Sequence, residues 1–349
     1  MTEALQTSIL LALVIAFAVA CLAQRGLLAS PVARHTLDHP NHRSLHRQPT
    51  PRTGGIALVL GIAAGWLWYV LSPAPMAPWL PALASAGLGL AIVSLLDDLR
   101  GLSASLRLLA HFVACAGFLV ALGGSIDEIE WLLLLLLLPM VWGVNLYNFM
   151  DGVDGLAGGM TVLGFGAYAV LAALQGSVTL AMLSSCVAAA ALGFLPYNLA
   201  PAKVFLGDVG SIPLGFLAGA LGVAGWHGGL WPLWLPPIVF SPFILDATLT
   251  LMRRLARGAR PAEAHREHYY QRLAQLGYGH FHTALLEYAL MLLSGAVGVV
   301  CVLDPGWLPL AVVLLVVELA CFAAVDRAWL RHRAQNGHYQ QQGVHATRK

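Results

Sequence analysis

Apolar stretches long enough to cross a bilayer recur along nearly the whole chain, and they restrict the fold more than any other feature of the sequence. A spanning helix needs roughly 20 apolar residues to cover about 30 Å of hydrocarbon. Such stretches lie near Ser8–Gln24, Gly54–Leu71, Trp79–Leu96, Ser105–Leu122, Trp131–Leu146, Leu156–Leu174, Leu180–Leu195, Ile212–Ala224, Leu235–Met252, Thr283–Leu303 and Trp307–Val325. Only 10% of the residues are charged, against about 25% in a soluble domain. The expectation is an all-α, polytopic integral membrane protein of about eleven transmembrane helices. In this reading residues 1–325 form one helical domain, and 326–349 form a short basic tail.

The basic residues orient the bundle. All 19 Lys and Arg residues fall in alternate connections: Arg25 to Arg52, Arg100 and Arg107, Lys203, Arg253 to Arg272, and Arg327 to Lys349. The connections near 72–78, 123–130, 175–178, 225–232 and 304–306 hold none. The positive-inside rule then puts the N-terminus in the periplasm and the C-terminus in the cytoplasm. The first apolar stretch has no basic segment ahead of it, and Arg25 follows it, so it reads as a retained helix and not a cleaved signal. The cysteines, Cys21, Cys115, Cys186, Cys301 and Cys321, have no motif spacing and read as small core residues.

Four polar clusters gather on the side assigned to the cytoplasm, and carboxylates in or beside spanning helices are functional candidates. Asp97 and Asp98 close the third apolar stretch, with Arg100, Arg107 and His111 following. Adjacent carboxylates repel unless a cation or a shared proton offsets them. Asn145, Asn148, Asp151, Gly152, Asp154 and Gly155 crowd the connection between the fifth and sixth stretches. Glycine lets a backbone approach a ligand, the following helix N-terminus attracts phosphate, and these oxygens suit Mg²⁺. Asn198, Lys203 and Asp208, the last in Gly-Asp-Val-Gly-Ser, precede the eighth stretch; Asp208 alone could be a plain N-cap.

The fourth cluster is the loop after Arg253 and Arg254, carrying His265, Arg266, Glu267 and His268. His265 and His268 would share one face of a helix at i, i+3. His280 and His282 read as loop residues. The first cytoplasmic loop, from Asp38 through His46 and Arg52 to Gly55, offers cations to a phosphate and a rigid entry to the second stretch. Asp246, inside the ninth stretch, reads as an interior carboxylate supporting the site.

Together these clusters resemble the polyprenyl-phosphate N-acetylhexosamine-1-phosphate transferases, glycosyltransferase family 4. The resemblance runs from about Asp38 to His282 and rests on Asp97-Asp98, the Asn-x-x-Asn-x-x-Asp-Gly-x-Asp-Gly loop and the Gly-Asp-x-Gly-Ser element. It implies transfer of sugar-1-phosphate from a UDP-N-acetyl amino sugar to undecaprenyl phosphate, with release of UMP. It implies a need for Mg²⁺, with Mn²⁺ as a substitute, and a site on the cytoplasmic face of the bacterial inner membrane. By the same resemblance Asp208 and Asn148 are metal ligands, and Asp97, Asp98, His265 and His268 are catalytic. Asn145, Asp151, Gly152, Asp154, Gly155, Asn198, Arg52 and Arg266 belong to nucleotide and phosphate binding, with Asp246 and Lys203 in support.

The sequence departs from the family in having His-x-x-His in place of three adjacent histidines, and a less glycine-rich Arg52-Thr53-Gly54-Gly55. His-x-x-His followed by Tyr-Tyr, the Pro-Asn-x-Arg-Ser-x-His loop and the eleven-helix layout look like the O-antigen-initiating branch more than the peptidoglycan translocase branch, phospho-N-acetylmuramoyl-pentapeptide transferase. A homodimer stays open, and no nucleic acid is expected as a partner. From another class, a secondary transporter also suits intramembrane carboxylates and broken helices, although its polar groups belong at the midplane. A membrane scaffold without catalysis is the remaining alternative.

Overall fold

A computed structural model describes residues 3–346 apart from 41–44, 47, 73–75, 124–132, 134 and 261–264. Helix α1 (Glu3–Ala29) is followed by the short α2 (Val32–His35), then α3 (Gly54–Leu71), α4 (Leu80–Arg100) and α5 (Ala104–Gly123). Next come α6 (Leu137–Phe149), α7 (Leu156–Leu174), α8 (Val178–Asn198) and α9 (Asp208–His227). The last group is α10 (Leu235–Val239), α11 (Ser241–Ala256), α12 (Tyr269–Leu273), α13 (Gly279–Leu303) and α14 (Pro309–Ala346).

Among the described residues, nine helices are long and apolar enough to cross a membrane. They include α1, α3, α4, α5, α7, α8 and α9, and the segments Tyr269–Leu303 and Pro305–Gln335. The fold is therefore all-α and polytopic, as expected. The other two expected stretches differ from unbroken spans. Trp131–Leu146 begins outside the described residues and continues as α6, which is 13 residues long. Leu235–Met252 is broken at Phe240 into α10 and α11. Pro242 causes the break: it has no N–H to donate, and its ring would clash with the carbonyl four residues back. Pro236 and Pro242 each sit in the first turn of a new helix, where proline fits. Helix α14 runs on through Asp326 to Ala346.

Helix α9 is the axis of the bundle. Its spanning window is 89% buried, and it packs on α3, α4 and α6. Glycine makes these approaches close. A Cβ on Gly210 would stand 2.8 Å from the Gly55 Cα, and one on Gly215 would stand 2.7 Å from the Gly143 carbonyl oxygen. Small residues at such crossings let membrane helices associate through backbone contact. The result sets Asp208, the first residue of α9, beside the start of α3 and the end of α6.

The first loop adds a feature that an all-α reading lacks. Strands β1 (Leu37–Asp38) and β2 (Thr50–Pro51) pair antiparallel, Leu37 with Pro51 and Asp38 with Thr50. The loop before α9 is stitched onto this ladder: Phe205 N–H donates to the Pro51 carbonyl (2.8 Å), and Gly55 N–H donates to Leu206 (2.8 Å). These bonds carry Arg52 to the same end of the bundle as Asp208.

Candidate active site

A cavity of about 450 Å³ opens at this polar end. Asp38, Asp97, Asp98, Asp151, Asp154 and Asp208 line it, with Arg52 and Arg107 as its guanidiniums. His46, His265, His280, Asn148, Asn198 and Gln271 complete the polar wall. Residues from the first loop to the start of α13 thus meet in one place, which the one-sided placement of the sequence clusters anticipates.

The floor is built on Asp208 and Asn148. Gly207, at φ 67°, turns the chain into α9 so that Asp208 opens the helix. Asn148, near the end of α6, donates from Nδ2 to Asp208 Oδ1 (2.8 Å) and to Ser211 Oγ (3.0 Å). Asp151 Oδ2 accepts from Gly207 N–H (3.2 Å), and Asp154 Oδ2 accepts from Ala202 N–H (3.0 Å). Asn198 joins the same two loops, accepting from Gly155 N–H (3.0 Å) and donating to the Val204 carbonyl (2.9 Å). Two tyrosines hold the Asn148–Gly155 loop from behind. Tyr270 Oη donates to the Phe149 carbonyl (2.9 Å), and Tyr288 Oη donates to the Gly155 carbonyl (2.6 Å).

The adjacent carboxylates at the end of α4 have different surroundings. Asp97 accepts from Leu102 N–H (2.7 Å) and from Arg107 (3.0 Å), so it ties off the helix end. Asp98 makes no hydrogen bond or ion pair among the described residues and faces the cavity beside it. Across the cavity Arg52 pairs with Asp38 at 2.6 Å. His46 Nε2 is buried without a hydrogen-bond partner, 3.9 Å from Asp38.

The histidine loop corrects one expectation. Residues 265–268 are not helical, and α12 begins only at Tyr269, so His265 and His268 do not share a helix face. Their rings still lie 4.9 Å apart. His265 lines the cavity, and its Nδ1 accepts from Glu267 N–H (3.3 Å). Burial, and then the charges of His268 and Arg254, push His265 down to about 4, so the ring is neutral at physiological pH. His268 is buried behind the wall, its Nδ1 3.1 Å from Asp246 Oδ1. Asp246 is buried and accepts from Tyr269 N–H (2.9 Å) and Tyr270 N–H (3.0 Å).

Four other candidates stand away from the cavity wall, Gly155 among them. Lys203 and Arg266 are exposed. The Asn145 amide is spent on the Val141 carbonyl (2.8 Å) and His111 (3.3 Å), inside the bundle. Conversely, His280 is no mere loop residue. It stands 2.9 Å from Asp154, and with Gln271 and His46 it lines the cavity. His280 and Asp154 lie 126 residues apart, so no local pattern joins them.

The carboxylate excess bears on a metal. Burial, and next the charge of Asp208, push Asp151 up to about 7, against the Gly207 hydrogen bond and the attraction of Arg52. A cation here would relieve that repulsion. Among the described residues no group of three or more His, Cys, Asp or Glu side chains forms a ready cage. Mg²⁺ needs none, because it takes one or two carboxylates and completes its shell with water and substrate phosphates. Asp208, with the Asn148 amide oxygen, fits that requirement.

The chain is similar to known proteins over most of its length. Residues 80–225 match the model of glycosyl transferase family 4. The chain is 33% identical over 291 residues to a decaprenyl-phosphate N-acetylglucosaminephosphotransferase of Mycolicibacterium smegmatis, covering 72% of this chain and 71% of the relative. It is 30% identical over 318 residues to an undecaprenyl-phosphate alpha-N-acetylglucosaminyl 1-phosphate transferase of Yersinia pestis, covering 84% and 85%. A phospho-N-acetylmuramoyl-pentapeptide-transferase of Geobacillus kaustophilus is 34% identical over 196 residues, covering 50% and 60%.

Proposed function

Because the chain belongs to the polyprenyl-phosphate N-acetylhexosamine-1-phosphate transferases, we propose that its polar cavity moves an N-acetyl amino sugar 1-phosphate from a UDP-sugar to undecaprenyl phosphate. The product is a lipid-linked sugar pyrophosphate that starts a cell-surface polysaccharide such as O-antigen. The observation that carries this reading is six carboxylates and two guanidiniums around one cavity at the polar end of a membrane bundle. A lipid phosphate and a water-soluble nucleotide sugar can meet only at such a face.

An oxygen of the acceptor phosphate attacks the phosphorus bonded to the sugar. The bond to the bridging oxygen breaks, and UMP leaves with the electron pair. Arg52 and Arg107 offset phosphate charge as it develops. Asp98, the unpaired member of its pair, orients the acceptor phosphate or takes its proton. Asp97 holds the helix end that presents Asp98. The neutral His265 offers a hydrogen bond to the donor without adding charge. Asp208 and Asn148 would hold Mg²⁺, which supplies further charge neutralisation at the pyrophosphate. We place this face in the cytoplasm of a bacterium, on the one-sided distribution of Lys and Arg.

The long coverage of the N-acetylglucosamine 1-phosphate transferases, against half the chain for the peptidoglycan enzyme, favours a simple UDP-N-acetyl amino sugar as donor. The test is UMP release by purified protein with undecaprenyl phosphate and, in turn, UDP-GlcNAc, UDP-N-acetylfucosamine, UDP-N-acetylquinovosamine and UDP-MurNAc-pentapeptide. One of the first three should turn over, only with Mg²⁺ or Mn²⁺, and Asp208→Asn should lose most of that turnover. Release from none of the donors would overturn the reaction. Full turnover in excess chelator would overturn the metal.

A further inference from the structure

We propose that Asp326, on α14 and outside the cavity, is a positioning residue that holds α12 so that Gln271 and His265 meet the donor. This inference rests on the transferase reading above. Helix α12 has five residues and runs into the π-helical turn Ala274–Tyr278, where Gly277 (φ 105°) breaks it from α13, so the long helix does not by itself fix where this short end sits. Its neighbours therefore decide where it sits. On one side, the Asp246 carboxylate holds the N–H groups of Tyr269 and Tyr270.

On the other side, Asp326 gathers a second set of contacts. Its Oδ1 accepts from Arg253 (2.6 Å) and from Arg272 (2.8 Å), and its Oδ2 accepts from Tyr269 Oη (3.2 Å). Both guanidiniums lie over the Tyr269 ring, at 5.1 and 5.2 Å from its centroid. That ring packs on Phe322, one turn earlier on α14, with centroids 4.4 Å apart. The Arg272 side chain is only 8% exposed. Without Asp326, a nearly buried guanidinium loses its counter-charge, and it regains solvation only if α12 moves. Gln271, its neighbour in sequence, lines the cavity and accepts from His268 N–H (3.3 Å). Any shift of α12 is therefore passed to the cavity wall.

The test compares Asp326→Ala, Asp326→Glu and Arg253→Ala in the full chain. Asp326→Ala should raise the KM for the donor about tenfold or more, as misplaced binding groups do. The KM for undecaprenyl phosphate should stay within about twofold, since Asp98, proposed to orient the acceptor, sits on α4, which packs on α3, α5 and α9. Asp326→Glu should restore most of the donor affinity, and Arg253→Ala, which leaves the Arg272 pair intact, should fall between. Hydrogen exchange at residues 268–274 should quicken in Asp326→Ala, independently of any turnover. Unchanged exchange there would overturn the inference, as would a wild-type donor KM, or equal losses for donor and acceptor. Should Asp326→Ala not fold, exchange in Arg253→Ala decides the matter. A wild-type protein that releases UMP from no donor would instead overturn the transferase reading.

Discussion

Replacing Asp246 by asparagine keeps the size of the side chain and changes only its charge and one acceptor. The consequences can be worked from four contacts. Oδ1 accepts from Tyr269 N–H (2.9 Å), from His268 Nδ1 (3.1 Å) and from Thr250 Oγ1 (3.2 Å), while Oδ2 accepts from Tyr270 N–H (3.0 Å). The amide would keep its carbonyl oxygen where three donors meet, which turns its NH₂ toward the Tyr270 N–H. That N–H is then a buried donor facing a donor, which costs about 1–3 kcal/mol, and a bond to a charged acceptor worth about 1.5–3 kcal/mol is gone. Both figures describe the same N–H, so they do not add. About 2–3 kcal/mol is the reasoned loss, a substantial share of the usual 5–15 kcal/mol total.

At about 2–4 °C per kcal/mol for long chains, the melting midpoint in detergent should fall by about 5–10 °C. Tyr270 also anchors the Phe149 carbonyl, so the first turn of α12 and the Asn148–Gly155 loop should loosen together. Donor affinity should drop with stability, and exchange should rise at the Tyr269 and Tyr270 amides. A variant that melts with the wild type and turns over at its rate would refute the reasoning, because it would mean the carboxylate is dispensable to the loop it bonds.

Three further outcomes follow from the same geometry. Asp98→Asn should slow turnover by about 10²–10⁴-fold, the usual range for a lost proton-transfer group, with little change in melting. Asp97→Asn should lower both, because it loosens the bonds to Leu102 and Arg107; equal melting of the two variants would remove this distinction. Gly55→Ala would drive a methyl into the Gly210 backbone, where no side chain can yield, so it should cost about 1–3 kcal/mol and displace Asp208; wild-type Mg²⁺ dependence and stability would count against that contact. The neutral ring of His265, pushed from 6.5 to about 4, should contribute stability fully above pH 6.5. The folded form binds the proton less tightly than the unfolded, so this contribution is lost as pH falls from 6.5 toward 4. His265→Gln should flatten the stability–pH curve in that window, and an unchanged slope would show that other groups set it.

The sequence by itself determined the solvent the protein lives in, the polar end of its bundle and most of the cavity wall. Apolar length decides the first, since no soluble fold hides stretches such as Leu156–Leu174 so often. The sidedness of Arg and Lys marks the second. Asp97, Asp98, Asn148, Asp151, Asp154 and Asp208 are legible because carboxylates and amides at membrane ends are costly, and each stands out against an apolar background. The tertiary structure decided what each of them does. Adjacent in sequence, Asp97 and Asp98 differ only because Arg107 and the Leu102 N–H reach one and not the other. His265 and His268 look equivalent as His-x-x-His, yet the Asp246 carboxylate draws one ring behind the wall and leaves the other on it. His280 meets Asp154, and Asp326 meets α12, across long stretches of chain, through helices whose packing glycines and prolines set the approach. Such pairings depend on side chains from distant segments meeting at one point, and local periodicity and spacing carry no information about that distance.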